Sequence, residues 1–386
     1  MSRFTSAAFA VLALFSTSLF AANDSPKPQA IGSALPQFEL PGIEGTTFEA
    51  KTYTPESFAD AKLLCLVFTC NHCPTAQRYE QRLIDLTNDY ADKGVAVIAI
   101  NPNNAAAVRL DEMSYTDVGD TFDEMIIRAK HKGFNFPYLD DGPTQEISRV
   151  FGPIATPHVF IYGEDRKLVF QGRIDDAELP QYIKTHDTRD ALDTLLAGGT
   201  IAEPTTRVFG CSVKWAEKAE GYNKTWAESL KKEPVTLEHA VAADLIALRE
   251  NKDSGKLRLI NIWATWCGPC IAEFPDLVNT NVTFRNRDFE MVTIAAEYPK
   301  MEGKALKFLQ GQHASMKNTI FGDTDKYANI EAIDPEWNGA LPHTLLVDEK
   351  GEVIYRHTGM LDFLELRRVI IPALDTITPW GGLDGN

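Results

Sequence analysis

One order of elements occurs twice in this chain of 386 residues, and the repeat limits the folds that the chain can adopt. In each half, an apolar run of strand type leads directly into a Cys-x-x-Cys motif, a helical pattern and a second apolar run. The strand runs are 62–69 and 95–100, then 257–263 and 289–295, and the motifs are Cys70-Asn71-His72-Cys73 and Cys267-Gly268-Pro269-Cys270. Buried strands that alternate with helices are typical of an α/β protein with a largely parallel sheet.

Each half also closes in the same way, with a proline followed by a hairpin. The prolines are Pro157 and Pro342, and the hairpin strands are 158–162 with 168–172 and 344–348 with 353–356. A hairpin adds antiparallel strands, so we predict a central mixed sheet flanked by helices in each half. The repeat and the chain length predict two domains, at 30–200 and 236–378, joined by a linker, 201–235, that contains Cys211.

The first 22 residues have the pattern of a secretory signal peptide. Arg3 precedes an apolar and small-residue stretch, 6–20, and Ala21-Ala22 offers small residues for cleavage. We therefore expect a periplasmic or otherwise exported protein that contacts a membrane only if segment 1–22 is retained as an anchor. The net charge of −16, with no run of Lys and Arg, argues against a nucleic-acid partner.

The two Cys-x-x-Cys motifs predict thiol chemistry. Two intervening residues at a helix start bring the sulfurs within disulfide reach, and the positive end of the helix stabilises the first thiolate. Cys267 is thus expected to attack and Cys270 to resolve. A zinc site shared by both pairs is disfavoured, because each pair follows a buried strand and a domain boundary separates them. We predict no metal and no cofactor.

Residues 257–378 resemble the thioredoxin fold, and within it the TlpA/ResA-like thiol–disulfide oxidoreductases. The resemblance rests on the segments Asn261 to Cys270, Glu273-Phe274-Pro275 and Leu341-Pro342. It implies a cis peptide before Pro342, packed against the disulfide, and a role for Glu273 in proton transfer. The supporting residues predicted here are Trp266, Gly268, Pro269, Glu273 and Pro342.

The first half, at about residues 30–215, resembles redoxin and AhpC/TSA-like thioredoxin-fold proteins. The resemblance rests on the segments Phe68 to Pro74, Thr156-Pro157, Gly172 to Asp176 and Gly210-Cys211. Peroxiredoxins carry Pro-x-x-x-Thr-x-x-Cys, but Leu63 and Val67 occupy the Pro and Thr positions before Cys70. The residues predicted to act here are Cys70, Cys73, His72 and Pro157.

His72 lies directly before the second cysteine of its motif, where an imidazole can stabilise a thiolate. A stabilised reduced form makes a couple more oxidising, so we predict that Cys70/Cys73 is more oxidising than Cys267/Cys270. Cys65 lies in an apolar strand and is expected to be a core residue.

Three further residues admit more than one interpretation. Cys211 is either an inert thiol, a partner of Cys65, or a resolving thiol for the first domain. His158 and His343 follow the two prolines and are expected to be structural, with metal binding as the alternative.

Together these features predict two tandem thioredoxin-like domains in an exported thiol–disulfide oxidoreductase. Its expected partners are protein dithiol or disulfide substrates and a redox partner protein. Two alternatives remain open: a thiol peroxidase in the first domain, and a periplasmic protein whose thiols handle copper or another metal.

Overall fold

The computed structural model describes residues 26–252 and 254–378. The predicted signal peptide, 1–22, lies outside these residues. Within the described part of the chain, no helix combines the length and the apolar character needed to cross a bilayer.

The first half contains seven strands and five helices. In chain order they are β1 (Leu40–Ile43), β2 (Ala50–Tyr53), β3 (Leu63–Phe68), α1 (Pro74–Tyr90), β4 (Val95–Asn101), α2 (Phe122–Lys132), β5 (Tyr138–Asp140), α3 (Glu146–Phe151), β6 (His158–Tyr162), β7 (Leu168–Gly172), α4 (Asp187–Leu196) and α5 (Ala216–Leu230).

The second half continues with β8 (Glu238–Ala240), α6 (Ala242–Glu250), β9 (Leu257–Trp263), α7 (Gly268–Phe284), β10 (Phe289–Ala295), α8 (Glu302–Gly311), β11 (Lys317–Phe321), α9 (Lys326–Ile333), β12 (His343–Val347), β13 (Val353–Thr358) and α10 (Phe363–Ile377).

The first sheet has the order β2-β1-β5-β4-β3-β6-β7. Strand β3, which leads into the first cysteine motif, pairs parallel with β4 and antiparallel with β6, and β6 turns back into β7. All six residues of β3 are buried, as expected of a strand that is covered on both faces. Apolar clusters fill the two faces, one around Tyr79 and Met125 and the other around Phe68 and Phe151.

The second sheet repeats this plan with the order β13-β12-β9-β10-β11-β8. Strand β9 pairs parallel with β10 and antiparallel with β12, and β12 turns back into β13. Trp263 and Phe274 pack on one face, and Ile260 and Trp337 on the other. The predicted fold class, two tandem thioredoxin-like α/β units with mixed sheets, is therefore confirmed.

The first part of the segment predicted as a linker, 201–235, packs against the first half of the chain. Thr205 and Cys211 form isolated bridges with Gln171 and Thr156. Trp215 is buried, and helix α5 follows it. The domain boundaries at 200 and 236 stay predictions, but the first part of this segment adds contacts to the first half.

The two halves also touch through the region before α2. Arg287, at the end of α7, donates to the carbonyl oxygen of Ser114 at 2.9 Å, and its guanidinium lies 4.2 Å from the ring centre of Tyr115. Arg368 on α10 donates to Asp117 Oδ2 at 2.8 Å. These contacts connect the second half to the loop before α2, and the same loop hydrogen-bonds to the first cysteine motif.

Candidate functional site

We name the pair Cys267/Cys270 the second centre. Cys267 is the N-cap residue of α7, and Cys270 lies in the first turn. A disulfide joins them, with their Cα atoms 5.3 Å apart. The Cys267 sulfur accepts the backbone N–H of Cys270 at 3.2 Å. Free N–H groups and the positive end of a 17-residue helix favour negative charge at this sulfur once the disulfide is reduced.

The surface beside the second centre is open. A Cβ atom at Gly268 would meet nothing within 4 Å, and Pro269 is the second residue of the helix, where a missing N–H costs little. Trp266 is 68% exposed, which is unusual for this side chain. It borders a groove of about 320 Å³ that Tyr298 and Trp337 also line. The residue next to Cys267 therefore presents a large aromatic surface to solvent at the edge of this groove.

Glu273 lies one helical turn beyond Cys270 and is only 2% exposed. Its Oε1 accepts from the side-chain amide of Asn261 at 3.4 Å, and its Oε2 accepts from the backbone N–H of Leu361 at 3.0 Å. Burial raises the pKa of Glu273, and the Leu361 hydrogen bond opposes the rise only in part. A buried carboxyl group with a raised pKa can act as a general acid or base.

The Leu341-Pro342 peptide is cis, as the resemblance implies, and so is Thr156-Pro157 in the first half. His343 follows Pro342 as the first residue of β12. Its Nδ1 bonds to Thr358 Oγ1 at 2.7 Å and its Nε2 to Asp334 Oδ2 at 3.1 Å. Both ring nitrogens are therefore engaged by protein groups, in keeping with the structural interpretation.

We name the cluster Cys70, Cys73 and Cys211 the first centre. Cys73 is the N-cap residue of α1, and its sulfur accepts the backbone N–H of Ala76 at 3.4 Å. Cys211, which is 138 positions away in the sequence, packs against the pair. All three cysteines are free thiols in this structure.

Gly210 explains how the chain brings Cys211 to this position. The backbone N–H of Thr156 donates to the Cys211 carbonyl oxygen at 2.9 Å, so the two segments run side by side. A Cβ atom at Gly210 would lie 2.1 Å from the Thr156 carbonyl oxygen, and its φ of +137° also favours glycine. Only glycine permits this close passage, which explains the Gly210-Cys211 pair that stood out in the sequence.

A buried acid that the sequence did not point to completes the first centre. Asp120 is 3% exposed and accepts four hydrogen bonds. Oδ1 accepts from the backbone N–H groups of Asn71 and His72 at 2.9 and 3.1 Å, and Oδ2 from His72 Nδ1 and the Asn103 amide at 2.5 and 3.0 Å. Burial lowers the pKa of His72, but the Asp120 carboxylate more than offsets this and raises it.

The environment of Cys73 favours its thiolate. Burial raises the pKa of Cys73, but hydrogen bonds from Cys211, Cys70 and the Ala76 N–H, together with the charge of His72, lower it below its usual value. The Cys73 sulfur also lies 3.3 Å from the Thr156 carbonyl oxygen, to which only the protonated thiol can donate. Burial and this contact oppose the thiolate, but the neighbouring thiols, the Ala76 N–H and His72 outweigh them, so we assign the thiolate of the first centre to Cys73.

The remaining candidates separate clearly. Cys65 is fully buried in a different apolar cluster, so the thiol beside Cys211 is Cys73. Burial lowers the pKa of His158 to about 3, and its Nδ1 accepts from Ile154 N at 3.4 Å. Cys70, His72 and Asp120 each place one potential ligand atom within 4.8 Å of the others.

Comparisons with known proteins agree with this architecture. Residues 31–171 match the AhpC/TSA family model, and residues 231–368 match the Redoxin model. The thiol:disulfide interchange protein CycY of Rhizobium leguminosarum bv. viciae is 29% identical over 34% of this chain and 66% of that protein. The thiol-disulfide oxidoreductase ResA of Halalkalibacterium halodurans is 30% identical over 31% of this chain and 66% of that protein.

The chain thus spans just under two thirds of the length of these curated relatives. A crystal structure of a hypothetical protein from Sinorhizobium meliloti 1021 is 29% identical, with a TM-score of 0.42, and covers 50% of this chain and 97% of that one. The predicted resemblance is confirmed: the chain has two tandem thioredoxin-like units, the first similar to AhpC/TSA proteins and the second to redoxins.

Proposed function

We propose that this protein is a thiol–disulfide oxidoreductase that acts on protein disulfides or dithiols through the second centre. The observation that carries the proposal is the Cys267–Cys270 disulfide at the start of α7, beside an exposed Trp266 and an open Gly268. The oxidoreductase names of the relatives support the same reaction class.

In the reducing direction, the Cys267 thiolate attacks one sulfur of a substrate disulfide. A Cys267–substrate disulfide forms, and the other substrate sulfur leaves as a thiolate. Cys270 then loses its proton and attacks Cys267, so the internal disulfide forms and the second substrate thiolate leaves. We assign Glu273 the role of accepting the Cys270 proton, because it is the buried carboxyl group one turn along the helix.

A Cys270→Ser variant tests this assignment. It should capture partner proteins as mixed disulfides at Cys267, because the resolving thiol is missing, and a Cys267→Ser/Cys270→Ser variant should capture none there. A Cys65→Ala variant, altered at a cysteine of the core, is the matched control and should keep full reductase activity. Full disulfide-reductase activity in the double variant would show the assignment to be wrong.

We also propose that Cys70/Cys73 forms a second redox couple that is more oxidising than Cys267/Cys270. The support is the stabilised Cys73 thiolate, since stabilising the reduced form raises the potential. The test is to equilibrate full-length variants that each lack the other pair with a glutathione buffer. Equal potentials, or the reverse order, would contradict the proposal.

Export to the periplasm or beyond is part of the proposal and depends on the sequence pattern of residues 1–22. The specific substrate and redox partner proteins belong to the same proposal. Fusing residues 1–22 to a reporter that is active only after secretion would test the export.

One observation favours a thiol peroxidase as the second candidate for the first half. Residues 31–171 match the AhpC/TSA model, and this half carries a stabilised thiolate at Cys73. The Cys267→Ser/Cys270→Ser protein should then consume hydrogen peroxide with a dithiol reductant. Absence of consumption would leave disulfide exchange as the reaction of the first centre.

The metal-handling alternative is favoured by the close approach of Cys70, His72 and Asp120. His72 Nδ1 and Asp120 Oδ2 bond to each other, which leaves little room for an ion between them. Metal analysis of anaerobically purified protein, together with thiol counting, decides between a metal site and a free dithiol.

A further inference from the structure

The three thiols of the first centre pack around one residue, Thr156. The Cys70 sulfur lies 3.4 Å from Thr156 Oγ1, and the Cys73 sulfur lies 3.3 Å from the Thr156 carbonyl oxygen. The backbone of Cys211 pairs with Thr156, and Cys211 packs against the Cys70/Cys73 pair. Thr156 thus holds both Cys70 and Cys211 beside Cys73, which is the arrangement that disulfide exchange among the three sulfurs needs.

Access to solvent differs among the three thiols. Cys70 and Cys73 are 3% and 0% exposed, whereas Cys211 is partly exposed. Thiol exchange requires the attacking sulfur to approach in line with the disulfide that it breaks. An external thiol can therefore reach Cys211 in the folded protein, whereas it reaches Cys70 less readily and the fully buried Cys73 only after local opening.

We propose that Cys211 is the entry thiol of the first centre and relays disulfide exchange between external thiols and the buried Cys70/Cys73 couple. The external reactant is a thiol or a dithiol, and the internal oxidant is the Cys70–Cys73 disulfide. The proposal deepens the second redox couple proposed above. It does not depend on the second centre.

The relay has two exchange steps. In the first, the Cys211 thiolate attacks Cys73, the Cys70–Cys73 bond breaks, and Cys70 leaves as a thiolate and takes up the proton that Cys211 lost. In the second, an external thiolate attacks Cys211, the Cys73–Cys211 bond breaks, and Cys73 leaves as a thiolate.

A second external thiol then resolves the mixed disulfide at Cys211. Two external thiols become one disulfide, and Cys70 and Cys73 end as thiols, so atoms and electrons balance. Each leaving sulfur has a neighbouring group that can stabilise its negative charge. A ring nitrogen of His72 lies within 4.8 Å of the Cys70 sulfur, and the Ala76 N–H bonds to the Cys73 sulfur.

The test uses full-length protein with Cys267→Ser/Cys270→Ser, so that only the first centre can react. The Cys70–Cys73 disulfide is formed, and its reduction by glutathione is followed by alkylation and peptide mass mapping. With Cys211→Ser added, reduction should be at least about tenfold slower, because attack must await local opening. A Ser212→Ala variant, altered at the exposed neighbour, should reduce at the parent rate.

Two further measurements distinguish a relay from a folding defect. In denaturing urea, the Cys211→Ser protein should reduce as fast as its parent, because burial no longer protects the disulfide. With Cys70→Ser in place of Cys211→Ser, oxidised glutathione should produce a Cys73–Cys211 disulfide. A Cys211→Ser rate within twofold of the parent would overturn the proposal, and so would free thiols at both Cys73 and Cys211 in the Cys70→Ser protein.

Discussion

Replacing Asp120 by Asn tests how the first centre is built. The substitution keeps the shape of the side chain but removes its charge and replaces one acceptor oxygen by a donor. Oδ1 can still accept from the backbone N–H groups of Asn71 and His72. The position of Oδ2, which now accepts from His72 Nδ1 and the Asn103 amide, would hold an NH₂ group.

The expected cost follows from these contacts. His72 can meet the new NH₂ group only as the neutral tautomer, and the Asn103 amide faces another donor because its own oxygen accepts from Lys214 N at 2.9 Å. Breaking one side of a buried ion pair costs about 3–5 kcal/mol. We expect Asp120→Asn to lower the free energy of unfolding of the first half by this amount.

The sign of the pH dependence also follows. The raised pKa of His72 contributes stability that is present below its unfolded pKa and is lost as the pH rises through the folded value. Burial raises the pKa of Asp120, but His72 chiefly lowers it below its usual value. The stability that the ionised Asp120 contributes is therefore lost only as the pH falls through the pKa of Asp120 in the folded protein. The deficit of Asp120→Asn should therefore be largest near pH ~5–6, between the two folded values, and smaller in alkali.

Urea unfolding with pulsed alkylation measures the effect in the first half alone. Cys65 is fully buried on β3, so its peptide-level alkylation reports the opening of that sheet. Asp92→Asn, at an exposed acid, is the control. In the same variant, thiolate absorbance should show a raised apparent pKa at the first centre. A loss below about 0.5 kcal/mol with an unchanged thiolate titration would refute the reasoning.

Three more predictions concern other buried charges. Burial raises the pKa of Asp140 to about 6, so its ionised form is disfavoured in the folded protein. Asp140→Asn should therefore raise the free energy of unfolding by about 1–3 kcal/mol above pH ~6 and leave it unchanged near pH ~4. Urea titration at both pH values measures this. Glu273→Gln should remove an inflection from the pH profile of Cys267–Cys270 reduction by dithiothreitol, while changing stability by about 1 kcal/mol or less. Arg128→Met removes a two-point contact to Glu80, at 2.7 and 3.0 Å, and should cost about 3–5 kcal/mol, part of which Glu80→Leu should restore in a double variant.

The sequence predicted the strands that form continuous apolar runs. Strands 158–162, 168–172, 257–263 and 289–295 have the predicted bounds, because continuous apolar runs between turns leave little choice. It did not predict β1, β2, β8 or β11. Strand β2 is exposed at three of its four positions and β8 at two of its three, so such short strands lack a hydrophobic period. Pairing with a neighbour defines them, and that information is not local.

The candidate sites show the same division between local and distant information. The Cys-x-x-Cys pairs are local motifs, and the sequence marked Cys267 as the helix-start thiol of its pair, but it did not distinguish Cys73 from Cys70, and only the structure shows Cys73 at the start of α1. Asp120 lies in an irregular stretch before α2, where no motif distinguishes it from other acids. The sequence left three interpretations of Cys211 open, because only the fold brings it beside Cys73.

The placement of Cys211 also shows how the first centre is assembled. The AhpC/TSA match ends at residue 171, so the third thiol comes from chain beyond the matched range. Packing fixes that chain: Lys214 N donates to Asn103 Oδ1, Ala216 N donates to Gln145 Oε1 at 2.8 Å, and Trp215 is buried. Asn103 also donates to Asp120, so one amide connects the segment that carries Cys211 to the acid that holds His72. The first centre and the His72–Asp120 pair therefore depend on the same packing. A change that loosens the chain around Cys211 should disturb both the access to Cys73 and the stability of its thiolate.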